Sequence, residues 1–162
     1  MSRFSRLSAL PKSWLLIALL WAPALSFASQ CPVSVPITDE IDGAIRATLT
    51  RGRFGDESLA ALVPADGTWR GMGASSRYRD KFWWWRKDSD ARTESSPNLK
   101  LHAVKLDDSG IEFDAGLATA GYGPGWDSML VMLEFPSPGC WQVTGSYRDT
   151  SLTMVFEVVD LE

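Results

Sequence analysis

The segment Phe135–Val159 constrains the fold more than any other part of the chain. It reads as a strand end at Phe135, a Pro/Gly turn over Pro136–Gly139, a strand carrying Cys140 and Trp141, a polar turn, and a closing strand. In the closing strand Leu152, Met154, Phe156 and Val158 alternate with Thr153, Val155, Glu157 and Val159. Successive side chains of a strand point to opposite faces, so this alternation gives one face to a core and the other to the outside. The spacing predicts a β-hairpin at the edge of a sandwich, with a cysteine placed where a disulfide would pin it.

Similar patterns recur upstream. Ile45, Ala47 and Leu49 share one face of an expected strand over 45–50, and Leu59–Val63 is an apolar run ended by the turn Pro64-Ala-Asp-Gly67. Thr68-Trp69 continues extended, and Asp80–Lys87 is a strand in which Phe82 and Trp84 face one side, Trp83 and Trp85 the other. Residues 88–97 are polar and read as a loop; Leu99, Leu101 and Ala103 alternate with Lys100, His102 and Val104. Asp107–Gly110 is a turn into Ile111–Ala115, and Ala120–Trp126 is glycine-rich enough to read as an exposed connection. Ser128–Phe135 reads as a central strand. Residues 31–38 carry two prolines, which cannot donate to a ladder, so they form an edge strand or an extended lead-in. Short strands with frequent turn signals predict an all-β antiparallel sandwich, immunoglobulin-like in arrangement.

The first 28 residues have the pattern of an export signal. Arg3, Arg6 and Lys12 precede an apolar core over Ser13–Ala22, too short to span a bilayer comfortably, and Ser26-Phe27-Ala28 supplies small residues at a cleavage site. Cleavage is expected after Ala28, with an uncleaved N-terminal anchor as the alternative, and leaves 29–162 as a single domain. Cys31 lacks the small preceding residue of a lipid-attachment site. Three of the 16 Lys/Arg lie in the signal, so 13 basic residues face 20 acidic ones beyond it, a net of −7. That balance disfavours nucleic acid and anionic lipid surfaces as partners. No second long apolar run follows, so no integral membrane segment is expected in the exported chain. The only two cysteines, Cys31 and Cys140, fall on the oxidising side of export. An intramolecular disulfide is the leading expectation; two free thiols, or pairing with another chain, are the alternatives.

Three stretches resemble an uncharacterised group of secreted bacterial proteins. Pro136-Ser-Pro-Gly-Cys-Trp-Gln-Val-Thr-Gly145, followed by Ser151–Val158, is similar to that group's C-terminal Pro-x-Pro-Gly-Cys-Trp-x-Val-Thr-Gly turn and strand. Leu62–Gly71 and Lys81-Phe-Trp-Trp-Trp-Arg86 resemble its Asp-Gly-x-Trp-Arg-Gly and Phe-Trp-Trp-Arg motifs, in the same order. Arg53-Phe54-Gly55 stands where the group often has Trp-Tyr-Gly. The resemblance implies an exported protein and no particular activity.

The tryptophan run is the sharpest candidate site. Three consecutive indoles cannot all enter one side of a sheet, and exposed aromatic rings stack on sugars or anchor partner proteins. Trp83, Trp85, Trp126 and Tyr122, with Trp69 nearby, are candidates for an aromatic binding platform. The competing reading gives one face of the run to the core and covers the other. His102 is the only histidine and reads as solvent-facing, with no nucleophile or orienting acid marked around it. Met72, Met129, Met132 and Met154 suit Cu(I) as thioethers, but three of the four fall in strands at core-like positions. Asp107-Asp108 resembles part of a calcium loop and is equally a plain turn. No catalytic residue, metal ligand or cofactor is expected. The sequence therefore predicts a periplasmic or secreted, non-enzymatic module of the bacterial envelope, binding a protein or a glycan through an aromatic surface. The alternatives are a small hydrolase of glycan or ester with a carboxylate site, and an accessory structural subunit.

Overall fold

The computed structural model describes residues 30–36, 51–70, 78–90, 92–107, 110–123 and 126–160; side chains are described for these except at 122, 123 and 126. The expected export signal, the expected strand over 45–50, Met72 and Asp108 lie outside the described residues.

The described chain is all β. In order the strands are β1 (Arg51–Gly55), β2 (Ala60–Pro64), β3 (Thr68–Trp69), β4 (Arg79–Trp85), β5 (Lys100–Lys105), β6 (Glu112–Asp114), β7 (Thr119–Gly123), β8 (Trp126–Glu134), β9 (Gly139–Tyr147) and β10 (Thr150–Val158). They form two five-stranded sheets, β1-β2-β4-β8-β7 (sheet A) and β3-β10-β9-β5-β6 (sheet B). Every pairing is antiparallel except β3 with β10.

Aromatic rings from both sheets meet in one core. Phe82 of β4 makes edge contacts with Trp69 of β3 and Phe156 of β10, ring centres 5.5 and 5.7 Å apart. Phe135, just past β8, packs on Trp69, Phe113 and Trp141 of sheet B. The alternation predicts a core around Trp141, Phe156 and either Leu130 or Leu133; Trp141, Phe156 and Leu133 are fully buried, and Leu130 is half-buried. Trp84 drives deepest: its ring enters a notch in sheet B where Gly145 stands between its register partners Leu101 and Leu152. No Cβ fits there, so the last residue of one motif quoted above makes room for the indole of another.

Cys31 and Cys140 form a disulfide with Cα atoms 5.4 Å apart, closing 109 residues of chain. The adjoining segment 31–36 is the extended lead-in. Ser34 N donates to Val155 O (2.9 Å) and Val155 N donates back to Ser34 Oγ (2.9 Å), so this segment covers part of the β10 edge.

Three expectations are corrected. The β9–β10 hairpin is interior rather than at an edge, because β5 pairs with β9 and β3 with β10. Residues 120–123 and 126 are not an exposed connection. Thr119–Gly123 and the start of β8 form a hairpin, in which the glycines that argue against a strand let the backbone approach closely; Ser128 Oγ donates to Gly121 O at 3.1 Å. Trp69 belongs to the core of the other sheet, 1% exposed, with Nε1 donating to Tyr78 O at 3.0 Å. β1 gives no clear alternation and is a strand that the sequence pattern did not predict.

Candidate functional site

The two sheets present unlike outer faces. On sheet B the outward side chains of β5, β9 and β10 include Lys100, His102, Gln142, Thr144, Ser146, Ser151, Thr153 and Glu157. This face is largely polar, interrupted by Val104 and Val155 on either side of Gln142. The register sets Thr144 opposite both His102 and Thr153, and the two threonine hydroxyls lie 2.9 Å apart.

On sheet A the outer face is apolar at its centre. Phe82 and Trp84 point inward and are fully buried, as the alternation predicts. Trp83 and Trp85 therefore point outward, and both are half-buried. Register places Arg53, Leu62, Trp83, Leu130 and Thr119 in one row across β1, β2, β4, β8 and β7. Ala60 lies beside Trp85, and Lys81 beside Met132. Trp83 also reaches toward β7, where a Cβ on Gly121 would stand 3.1 Å from its Cζ3. The small residues flanking the indoles, Ala60 and Gly121, let these rings lie down on the sheet.

Of the four residues proposed from sequence for this platform, Trp83 and Trp85 share the outer face of one strand. The backbones of Tyr122 and Trp126 enter the β7–β8 hairpin of the same sheet, Tyr122 paired with Asp127 and Trp126 with Gly123; their side chains lie outside the described residues. Sequence reasoning missed Leu62, Leu130 and Arg53 as companions of Trp83. Their shared row depends on pairing register, which no single strand's pattern carries.

A second cluster closes one end of the sandwich. Arg86 donates to Asp88 (2.5 Å), Asp149 (2.8 Å) and Thr150 Oγ1 (3.2 Å). Arg148, in the left-handed region at φ 54°, bonds Asp88 (3.2 Å) and Glu94 (3.3 Å) and lies over the Tyr147 ring, 4.9 Å from its centre. Tyr147 OH donates to Glu94. Hydrogen bonds from Arg86 hold the Asp88 and Asp149 carboxyls below the ordinary range. Burial, then the Glu94 carboxylate, push the Tyr147 hydroxyl up to about 12. Each polar group has a partner in the same cluster, so the arrangement fastens the 86–94 loop to the β9–β10 turn.

His102 is solvent-facing as expected. Its Nδ1 lies 2.9 Å from Asp114 Oδ1 and its Nε2 3.6 Å from Glu112 Oε2, all three side chains about half exposed or more. The two carboxylates approach different ring nitrogens, and all three groups are open to solvent. Met129 and Met154 are buried core and Met132 half-buried. Asp107 accepts from Cys140 N (3.1 Å), a turn role. Among the described residues, no group of three or more His, Cys, Asp or Glu is placed to hold a metal ion, and no helix is long and apolar enough to cross a membrane. No family model, curated protein or solved structure matches the chain.

Proposed function

We propose that this protein is an exported, non-enzymatic binding module of the bacterial envelope, periplasmic or secreted, engaging its partner through the outer face of sheet A. One observation carries the reading: the two outer faces differ. Sheet B turns mostly hydroxyls, an amide and charges outward, while the outer side of sheet A carries the partly exposed Trp83, Trp85 and Leu130 around a buried Leu62. Partly exposed indoles set on a rigid strand are what recognition surfaces use, because they bring large contact area with little side-chain entropy to lose.

Membership of the secreted group, a cleaved signal over residues 1–28 and an immunoglobulin-like arrangement belong to the same proposal. Support comes from the Cys31–Cys140 bond, which suits an oxidising compartment. The three stretches carrying the resemblance also converge: Leu62 pairs with Trp83, Trp69 packs on Phe82, and Trp84 fills the notch at Gly145. Face-to-face sheets joined by hairpins and crossovers, with a buried tryptophan on the strand of the bridged cysteine, are the features that favour the immunoglobulin-like reading.

The test is Trp85→Ala in the exported chain. The variant should keep its far-ultraviolet spectrum and lose retention of an envelope glycan or protein that the parent captures. A variant that unfolds instead makes Trp85 a packing residue and removes the platform.

A further inference from the structure

We propose that the aromatic face takes an acidic polysaccharide, a chain of uronate-type sugars; this rests on the reading of sheet A given above and names its ligand class. Seven of the described Lys and Arg residues sit in ion pairs with carboxylates: Arg51, Arg70, Arg79, Arg86, Lys87, Lys105 and Arg148. An acidic protein has carboxylates to spare for such pairing.

Arg53 and Lys81 depart from this pattern, and both belong to the outer face that bears the indoles. Neither has a carboxylate within ion-pair reach among the described residues; the field of Arg53 is felt at Asp56, three residues on, without a pair forming. Arg53 Nε is buried with no hydrogen-bond partner, so packing rather than a carboxylate fixes this side chain. Register puts Arg53 in the row of Trp83, two strands away across Leu62, and Lys81 two residues along β4 from Trp83. Strand spacing and rise make the two cations' Cα atoms about 12 Å apart, with Trp83 near one corner and Trp85 about 7 Å further along the strand. The other cations without an ion pair among the described residues are elsewhere: Arg92 in the 88–97 loop and Lys100 on the outer face of sheet B.

The ligand must therefore offer flat apolar faces and peripheral negative charge. A pyranose ring presents a C–H face to an indole, and a uronate carries its carboxylate at the rim of the same ring, where these cations stand. An acidic peptide supplies the charge without the planes. Neutral glycans supply the planes and leave both cations desolvated without an anion.

The experiment measures binding of the exported full chain to three soluble polymers: polygalacturonate, its methyl-esterified form, and polyglutamate. Polygalacturonate should bind at least tenfold more tightly than either of the others, and more weakly as salt rises. Arg53→Gln with Lys81→Gln should weaken it by about tenfold or more while leaving the thermal midpoint unchanged. Trp85→Ala should weaken it as well. Should the double variant fail to fold, Lys81→Gln alone and the salt dependence of the parent decide. Equal binding of the ester, still lost in Trp85→Ala, overturns the acidic class and keeps the aromatic face. Equal binding of polyglutamate overturns the glycan. Polygalacturonate binding indifferent to Trp85 overturns both readings, and no binding of polygalacturonate overturns this inference while the Trp85 test of the preceding section stands.

Discussion

Replacing Gly145 with alanine should drive a wedge between the sheets. The new Cβ would fall 2.5 Å from Trp84 Cζ3, 2.7 Å from Cζ2 and closer still to Cη2, where ordinary contact needs about 3.5–4 Å. Neither side has room to yield. Trp84 is fully buried with Phe82 in edge contact at 5.0 Å, and Gly145 is held in register by Leu101 and Leu152 on the strands flanking it. Opening a packed interface for one methyl costs about 1–3 kcal/mol. The gain from removing a strand glycine, about 0.5–1 kcal/mol, offsets part of it. We expect a net loss of about 1 kcal/mol, or roughly 3–5 °C in thermal midpoint for a domain of this size.

The decisive measurement is a double-mutant cycle with Trp84→Phe in chemical denaturation. Phenylalanine lacks the benzo ring that meets the Cβ and removes Trp84 Nε1, a buried donor with no partner, which offsets part of the lost packing. The alanine should therefore cost little in the phenylalanine background, giving a coupling of at least about 1 kcal/mol. Additivity within about 0.5 kcal/mol would refute the account of Gly145 as the notch for Trp84.

Other outcomes follow from the bonds described. Substituting both cysteines, Cys31→Ser with Cys140→Ser, should lower stability by about 2–4 kcal/mol in urea melts, since the bridge closes 109 residues; an unchanged midpoint would contradict that. Asp88 and Asp149 are depressed by hydrogen bonds from Arg86, so their contribution is full above the ordinary carboxylate range near pH 4 and fades as pH falls through their lower folded values. Asp149→Asn should flatten the dependence of the thermal midpoint on pH over that window. Tyr147 should ionise late, near pH 12, behind an ordinary tyrosine in an ultraviolet titration; its raised value means stability falls as pH rises from about 10, and Glu94→Gln should bring the ionisation earlier.

Much of the layout was legible from period-two alternation. Phe82 and Trp84 against Trp83 and Trp85, and Leu152 through Val158 against Thr153 through Val159, each sort to the faces that their sequence predicts. Cys31 and Cys140 found each other as the only two thiols available. What escaped was relational. A strand's pattern says which residues share a face but not which strand lies next to it, so the terminal hairpin read as an edge although β3 and β5 flank it. The segment Ala120–Trp126 misled because glycine weakens a strand in isolation, while here Gly121 gives Trp83 and Ser128 space. Trp69 read as part of the platform because composition does not say which sheet an indole serves. The candidate site was visible as two residues, Trp83 and Trp85; the row that gives it Arg53, Leu62 and Leu130 emerges only from register.

The parallel pairing of β3 with β10 sets Thr68 beside Glu157, 89 positions later in the chain. A ribosome releasing this polypeptide from its N-terminal end delivers β3 long before β10 exists to receive it. Trp69, a large ring that the finished core encloses, must travel through that interval uncovered. Assembly of the second sheet is then timed by the arrival of its latest strand, and any factor that shields nascent chains has its natural target in the stretch around Trp69.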